Sequence, residues 1–333
     1  MPDALPIILI LGPTAGGKTE LAIRLAESLP GGGECICADS MQIYRHMDIG
    51  TAKPTEAERA RVPHHLFDLI EPDEDGFTVD TWLDRAEKCI EAIRGRDRWP
   101  IVVGGTNLYA QALLHGLFDG PDPDPALRKK LEGESLPDLR AKLELIDPEA
   151  ASRIHPNDRK RTVRAIEVFE QTGTPISQWQ SQWERGTIRD DVFIIGLDYP
   201  AEVINRRINA RVKRMIEAGL IDEVRSLYES GYKSGHKSGR LGRQAAEALG
   251  YKQIIAALEG EMSLDEAVEQ IKIRTRRYAK QQRTWLRRFR AHPKAIWLDA
   301  SDQSPEELAK AATSSILQNV ESPQAYFKRE ESD

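Results

Sequence analysis

Residues 7–19 read Ile7-Ile8-Leu9-Ile10-Leu11-Gly12-Pro13-Thr14-Ala15-Gly16-Gly17-Lys18-Thr19, and this stretch decides the fold. Five consecutive apolar residues suit a strand buried on both faces. The next eight match G-x-x-x-x-G-K-[ST] in full, and behind them Leu21, Ala22, Leu25 and Leu29 recur at helical spacing. A strand, a glycine-bearing loop and a helix start in that order predict a phosphate-binding loop. The glycines let the backbone wrap around phosphate oxygens, and the helix N-terminus aims N–H groups at them. Lys18 adds a point charge and Thr19 a hydroxyl suited to Mg²⁺. Gly12, Thr14, Ala15, Gly16, Gly17, Lys18 and Thr19 are therefore the expected ligands of a pyrophosphate or a longer phosphate chain. The motif leaves open whether a phosphoryl group is transferred or the phosphates depart as a leaving group.

Outward from this loop, the turn at Gly31-Gly32-Gly33 leads into a predicted strand, Cys35 to Ala38, that ends at Asp39, which completes a β-loop-α-β unit. Val79, Trp82, Leu83, Ala86, Ile90 and Ile93 form an amphipathic helical pattern with Thr78 as its N-cap. Pro100 then introduces a buried strand, Ile101 to Val103, before Gly104-Gly105. Strands alternating with helices imply an α/β fold, a P-loop NTPase-like parallel sheet with helices on both faces. The alternation stops near Gly120. From Pro121 to about Asp190 only helical patterns appear, around Leu127 to Leu131, from Leu136 to Ile146 and from Arg159 to Gln171. This segment reads as a helical insertion domain. The sheet resumes with Val192 to Leu197, ending at Asp198, and a long helical pattern from Val203 to Ile216 is stopped by Gly219. A Gly/Ser/Lys-rich loop at 231–242, two further helices, a strand at Ala295 to Leu298 and a polar tail complete the chain. The expected division is a core of residues 1–120 and 191–322 with basic C-terminal helices, an insertion of residues 121–190, and a disordered tail of residues 323–333.

The whole chain has 333 residues, 40% of them hydrophobic and 30% charged, which excludes collagen, general disorder and a small disulfide-stapled scaffold. Three cysteines make no disulfide framework; Cys35 and Cys37 share one face of a strand and are expected to be buried thiols. His64-His65 has no zinc spacing, and no structural metal is expected. No apolar run approaches the length of a membrane span, so a cytoplasmic protein without membrane contact is expected. The formal charge of −6 hides an asymmetry. Arg274, Arg276, Arg277, Lys280, Arg283, Arg287, Arg288, Arg290 and Lys294 fall in one segment that contains no acid. A focused basic segment on an otherwise acidic chain suits local contact with nucleic acid, because counterion release depends on the surface contacted. Tyr278, Trp285 and Phe289, spaced by seven and four, read as packing residues on one helix face, which leaves Arg283, Arg287 and Arg288 to face phosphates.

Two predicted strands end in an acid, at Asp39 and Asp198, and ligands of open parallel sheets bind outside the carboxyl ends of the strands. Asp39 is the better candidate because the polar turn Ser40-Met41-Gln42 follows it, whereas Asp198 precedes Tyr199-Pro200 and reads as a turn or cap residue.

Taken in order, the motifs are Gly12 to Thr19, Asp39 to Tyr44, Gly50 to Pro54, His64 to Leu66, Gly104-Gly105-Thr106 with Leu108-Tyr109, and His155 to Asp158 with Arg161 and Arg164. They continue with Thr172-Gly173, Gly250 to Lys252 and Lys280 to Trp285. In this set the sequence resembles the tRNA dimethylallyltransferases (tRNA isopentenyltransferases) of bacterial type, over nearly the whole chain. The resemblance implies transfer of a dimethylallyl group from dimethylallyl pyrophosphate to N6 of adenine 37, beside the anticodon of tRNA. It implies Mg²⁺ with the pyrophosphate, Thr19 as a metal ligand, Asp39 as general base and Thr106 as a residue placing the acceptor. It puts contacts to the tRNA anticodon stem-loop on Ser40, Met41, Gln42, Arg128, Lys160, Arg161, Arg164, Lys280, Arg283 and Arg287. The chemistry is consistent, since an adenine amine is a poor nucleophile that must lose a proton as it attacks, and its base must first leave the anticodon stack. A monomer is expected. Two residues depart from relatives: Asn107 after Gly-Gly-Thr, and Glu247, an acid that would repel pyrophosphate or nucleic acid if it faced them. Three rival readings remain at this level: a kinase-like phosphotransferase with ATP in the loop, an isopentenyltransferase of free adenine nucleotides, and a non-catalytic RNA-binding P-loop protein.

Overall fold

The computed structural model describes residues 4–117, 120–185, 188–233 and 241–319; the tail at 323–333 lies outside the described residues. The chain divides into two compact units, Met1–Gln111 with Asp190–Asp333, and Ala112–Arg189.

The first unit is built on six parallel strands: β1 (Ile7–Leu11), β2 (Gly33–Cys37), β3 (His64–His65), β4 (Trp99–Val103), β5 (Val192–Asp198) and β6 (Ala295–Asp299), in the spatial order β3-β2-β4-β1-β5-β6. All five residues of β1 are buried. Ile8 and Ile10 join a core with Leu21, Leu25 and Ile208, and the alternation of a strand then turns Ile7 and Leu9 to the other face, where they are buried as well. A central strand covered on both sides explains the uninterrupted apolar run. The chain passes from β1 outward to β2 and β3, returns to β4 and crosses β1 to β5, so the order reverses around β1. The crevice at such a switch point, beyond the carboxyl ends of the strands, is where open α/β sheets bind ligands.

Local chemistry accounts for the helices nearest this crevice. The helix Lys18–Ser28 starts from Gly17, whose φ of 82° lies in the left-handed region, with no side-chain cap on its first N–H groups. Thr78 caps Val79–Arg94 by accepting from Thr81 N, and that helix buries Trp82, Ala86, Ile90 and Ile93. Gly104 is required for a different reason: a Cβ there would lie 2.1 Å from the Ala38 carbonyl, so β2 and β4 can end side by side only with glycine at this position.

Several elements differ from the sequence reading. Leu220–Lys233 is a helix that runs into the stretch read as a Gly/Ser/Lys loop. Three helices rather than two precede β6: Arg243–Ala246, Tyr251–Leu258 and Leu264–Leu286. After β6 the chain forms the helix Pro305–Asn319, which buries Leu308, Ala309, Ala312 and Ile316 and packs on Lys18–Ser28. Its apolar face is half alanine, which gives a weak periodic signal, although Ser304 and Glu307 form a capping box at its start. The helix Leu264–Leu286 gives way to a 3₁₀ turn, Arg287–Ala291, so Tyr278 and Phe289 do not share one continuous α-helical face.

The second unit, with no strand among its described residues, consists of the helices Pro125–Glu132, Leu136–Ile146, Pro148–Arg153, Arg159–Thr172 and Ile176–Arg185 around Leu131, Leu139, Leu143, Val163 and Ile166. Gly173 ends the fourth of these in the left-handed conformation, φ 70°.

Candidate active site

A cleft of about 1100 Å³ opens beyond the carboxyl ends of β1, β2 and β4 and is lined entirely by the first unit. The phosphate loop forms one wall, with Thr14 to Thr19 facing the space; Gly12 stands behind them. Lys18 Nζ donates to the carbonyls of Gly12 and Pro13, both at 3.0 Å. Burial, reinforced by the charge of Arg211 and opposed by that of Asp39, lowers its pKa to about 8. Thr19, in the first turn of its helix, presents its hydroxyl without a hydrogen-bond partner among the described residues.

Sequence reasoning missed the opposite wall. Arg207, Arg211 and Arg214 project into the cleft from one face of the helix Ala201–Glu217. Arg207 Nε donates to the Ala15 carbonyl at 2.9 Å and lies over the Tyr199 ring, whose hydroxyl donates to the Gly16 carbonyl at 2.7 Å. Arg211 donates to Thr14 Oγ1 at 3.2 Å, and burial lowers its pKa. Among the described residues no carboxylate lies within ion-pair distance of Lys18, Arg207, Arg211 or Arg214. Four cations crowded at one loop with no ion-pair partner cost energy unless an anion joins them, which points to a phosphate-bearing ligand.

Asp39 closes this site. It follows β2, lines the cleft, and its Oδ1 accepts the N–H of Met41 at 2.9 Å, which fixes the carboxylate. Ser40 and Thr106 lock together beside it: Thr106 Oγ1 accepts Ser40 N–H at 2.9 Å and donates to Ser40 Oγ at 3.2 Å. The site therefore offers a cradle for a departing polyphosphate and one carboxylate next to it that can take a proton. A family model described as IPP transferase matches residues 42–289, and another described as isopentenyl transferase matches residues 5–64. The chain belongs to the IPP transferase family. A tRNA dimethylallyltransferase from Syntrophobacter fumaroxidans is 47% identical over 302 residues, which cover 90% of this chain and 84% of that protein. The tRNA dimethylallyltransferase 1 of Citrifermentans bemidjiense is 46% identical over 280 residues, covering 84% and 88%. Among solved structures, the tRNA isopentenylpyrophosphate transferase of Bacillus halodurans matches with a TM-score of 0.68 at 38% identity, covering 96% of this chain and 98% of its own. A eukaryotic dimethylallyltransferase acting on tRNA matches with a TM-score of 0.77 at 28% identity, covering 94% and 79%.

Within this IPP transferase the other residues singled out in the sequence fall into distinct settings. Gln42 lines the cleft, but its Nε2 donates to the carbonyls of Thr51 and Ala52, at 2.9 and 3.1 Å, so it also ties down the following loop. Asp198, at the carboxyl end of β5, does not line the cleft; its carboxylate pairs with Arg290. Tyr278 corrects an expectation. It is 37% exposed rather than packed, lines the cleft, and donates from its hydroxyl to the Gly105 carbonyl at 3.1 Å. Phe289 is buried as expected, and Arg288 lies over the Trp285 ring at 4.8 Å. Lys280 and Arg287 are exposed and Arg283 half-buried, none with an acidic partner among the described residues. Glu247 is held by Lys252 at 2.8 Å, which neutralises the acid that departs from relatives. Cys35 and Cys37 are free buried thiols, with burial raising Cys35 to about 12.

In the second unit, Arg128 and Arg164 both donate to Glu167, a fully buried carboxylate, at 2.9 and 2.8 Å. Arg161 is exposed and lies 3.4 Å from Asp158. No helix among the described residues is long and apolar enough to cross a membrane.

Proposed function

We propose that the protein transfers the dimethylallyl group of dimethylallyl pyrophosphate to N6 of adenine 37 in the anticodon stem-loop of tRNA, releasing pyrophosphate, and that it works as a monomer in the cytoplasm. The observation that carries this reading is that Asp39 lines the same cleft as Lys18, Arg207, Arg211 and Arg214, four cations with no ion-pair partner among the described residues. The phosphate-loop amides, Lys18 and the arginines of Ala201–Glu217 bind the pyrophosphate and stabilise the charge that grows on it as the C–O bond to the allylic carbon breaks. The adenine N6 attacks that carbon, and Asp39 takes the N6 proton, so the products are the alkylated amine, pyrophosphate and a protonated carboxyl group. Thr106, held against Ser40, positions the acceptor.

The residues present fit Mg²⁺. The unpartnered Thr19 hydroxyl and the carboxylate of Asp39, both lining the cleft, are hard oxygen donors of the kind that suits an ion taking its other ligands from phosphate and water. Such an ion, held by Thr19, would add positive charge at the leaving group. The tRNA lies against Ser40, Met41 and Gln42 at the cleft, against Lys280, Arg283 and Arg287 on the basic helix and the turn after it, and against Arg128, Lys160, Arg161 and Arg164 in the second unit, which is the tRNA-binding insertion.

Incubation with radiolabelled dimethylallyl pyrophosphate and unmodified tRNA, followed by nucleoside digestion, tests the reading. Label in N6-dimethylallyladenosine from position 37 is expected. Label on free adenine nucleotides only, or phosphoryl transfer from ATP without prenylation, would replace it.

A further inference from the structure

Gln282 carries neither charge nor nucleophile, yet it is the side chain that joins the two halves of the cleft. It is 2% exposed. Its Oε1 accepts the N–H of Thr14 in the phosphate loop at 2.8 Å, and its Nε2 donates to the carbonyl of Gly105 at 2.9 Å. These partners fix the orientation of the carboxamide, because a backbone N–H can only donate and a carbonyl can only accept. Gly105 lies between Gln282 and the proposed base: a Cβ there would be 3.2 Å from both Asp39 Oδ2 and Gln282 Nε2. One buried amide thus links the loop that holds the donor to the loop beside Asp39 and Thr106.

The side-chain chemistry is restrictive. Ionised glutamate can accept from Thr14 but cannot donate to Gly105, lysine and arginine can only donate, and asparagine is one methylene shorter. Tyr278, one helical turn earlier, supplies a second donor to the same Gly105 carbonyl. Gln282 is buried on the inward face of Leu264–Leu286, while Tyr278 stays partly exposed at the cleft.

The geometry points to Gln282 as a positioning residue for prenyl transfer, one that sets the separation between the donor on the phosphate loop and the acceptor beside Asp39. This rests on the reaction assigned above. Attack at the allylic carbon requires the reacting atoms about 3–3.5 Å apart and in line, and a misplacement of about 1 Å can cost about a hundredfold in rate. The bond from Gln282 to Gly105 therefore acts on the chemical step rather than on the affinity for either substrate.

The test is single-turnover prenylation at saturating dimethylallyl pyrophosphate and unmodified tRNA, with both dissociation constants and the melting temperature, for wild type, Gln282→Met, Gln282→Glu and Tyr278→Phe. Product formation by the wild type tests the assigned reaction; the variants, compared with that rate, test Gln282. Methionine keeps the length and removes both hydrogen bonds, while glutamate keeps the Thr14 bond and loses the Gly105 bond. Both are expected to lower the saturated rate about tenfold to a hundredfold; dissociation constants stay within about threefold of wild type in Gln282→Met, whereas the added carboxylate of Gln282→Glu, beside the phosphate loop, also weakens donor binding. Tyr278→Phe leaves both Gln282 bonds and is expected to cost less than either. A saturated rate within about twofold of wild type, or a loss seen only as weaker binding of donor or tRNA, overturns the assignment. If Gln282→Met melts before assay, Gln282→Glu decides on its rate at saturating donor: a rate within about twofold of wild type overturns the assignment.

Discussion

The arginines of the cleft and those of the second unit face opposite electrostatic problems. Arg207, Arg211 and Arg214 gather around the phosphate loop with Lys18 and have only carbonyls, a hydroxyl and an aromatic ring as partners among the described residues. Arg128 and Arg164 instead converge on the carboxylate of Glu167, which also accepts the N–H of Asp124 at 2.8 Å. A cation cluster that supplies its own counter-charge is complete without a ligand. One that lacks it is stabilised by the anion it binds; burial, and after it the charge of Arg211, lowers the pKa of Lys18. The comparison assigns donor binding to the first group and rigid presentation of guanidinium groups to the second.

The largest expected effect concerns Asp39, which lines the cleft with the first group. Asp39→Asn preserves shape and hydrogen bonding to Met41 but cannot take a proton, so the single-turnover rate should fall about 10²- to 10⁴-fold, with the affinities for tRNA and dimethylallyl pyrophosphate near wild type. Measuring both dissociation constants over a Mg²⁺ series separates this from a role in holding metal: rescue by excess Mg²⁺, or a rate loss below tenfold, would move Asp39 out of the role of base.

Next comes Lys18. With its pKa at about 8, the free enzyme carries a protonated Lys18 at pH 7 and loses that charge as the pH rises through 8. Donor affinity should decline over that interval in wild type and hold in Lys18→Arg, whose guanidinium stays charged. Lys18→Ala should weaken donor binding by about 1.5–3 kcal/mol at pH 7 while leaving tRNA affinity unchanged. A wild-type affinity that is flat from pH 7 to 9 would show that Lys18 keeps its proton and would weaken the contrast between the two arginine groups.

The difference between the groups also shows what could be read from the sequence. Strand ends and the phosphate loop are local: Ile7 to Thr19 and the run into Asp39 place the phosphate loop and the carboxylate of the cleft without tertiary information. Arg207, Arg211 and Arg214 were available by the same helical period as Ile204, Ile208 and Val212, which mark the buried face. No local rule says that the polar face of that helix lies against the phosphate loop, since β5 and its register with β1 decide this. The role of Gln282 was hidden because a run dominated by bases draws attention to charge, and Tyr278 reads as packing by its spacing although its hydroxyl bonds the Gly105 carbonyl at the cleft. The helix Pro305–Asn319 was missed although its capping box was present, because alanines on its buried face blur the apolar period.

A smaller effect is expected from Lys280, Arg283 and Arg287, which have no acidic partner among the described residues and so resemble the cleft cations more than the pair on Glu167. Replacing all three by Gln should lower the slope of log affinity for tRNA against log salt by about 2, at about 0.7–0.9 per phosphate contact. Donor affinity should be unchanged. An unaltered slope would make this a solvated helix face.

Glu167→Gln is the most local of these changes and tests the other half of the comparison. One carboxylate oxygen of Glu167 accepts the Asp124 N–H and the other accepts from both arginines. Glutamine can satisfy only one of these sets, and its NH₂ must then face either a backbone donor or two guanidinium groups. The second unit should lose about 1–3 kcal/mol against local unfolding, seen as faster amide exchange in Pro125–Glu132 and Arg159–Thr172. Because the lost counter-charge frees Arg128 and Arg164 rather than removing them, tRNA affinity should fall through disorder of these side chains, and Glu167→Asp, which restores the charge at shorter reach, should recover part of it. Donor affinity and the pH dependence set by Lys18 should not move. Unchanged exchange would show that the arginines do not need Glu167 to be held, and the two groups of cations would then differ in position alone.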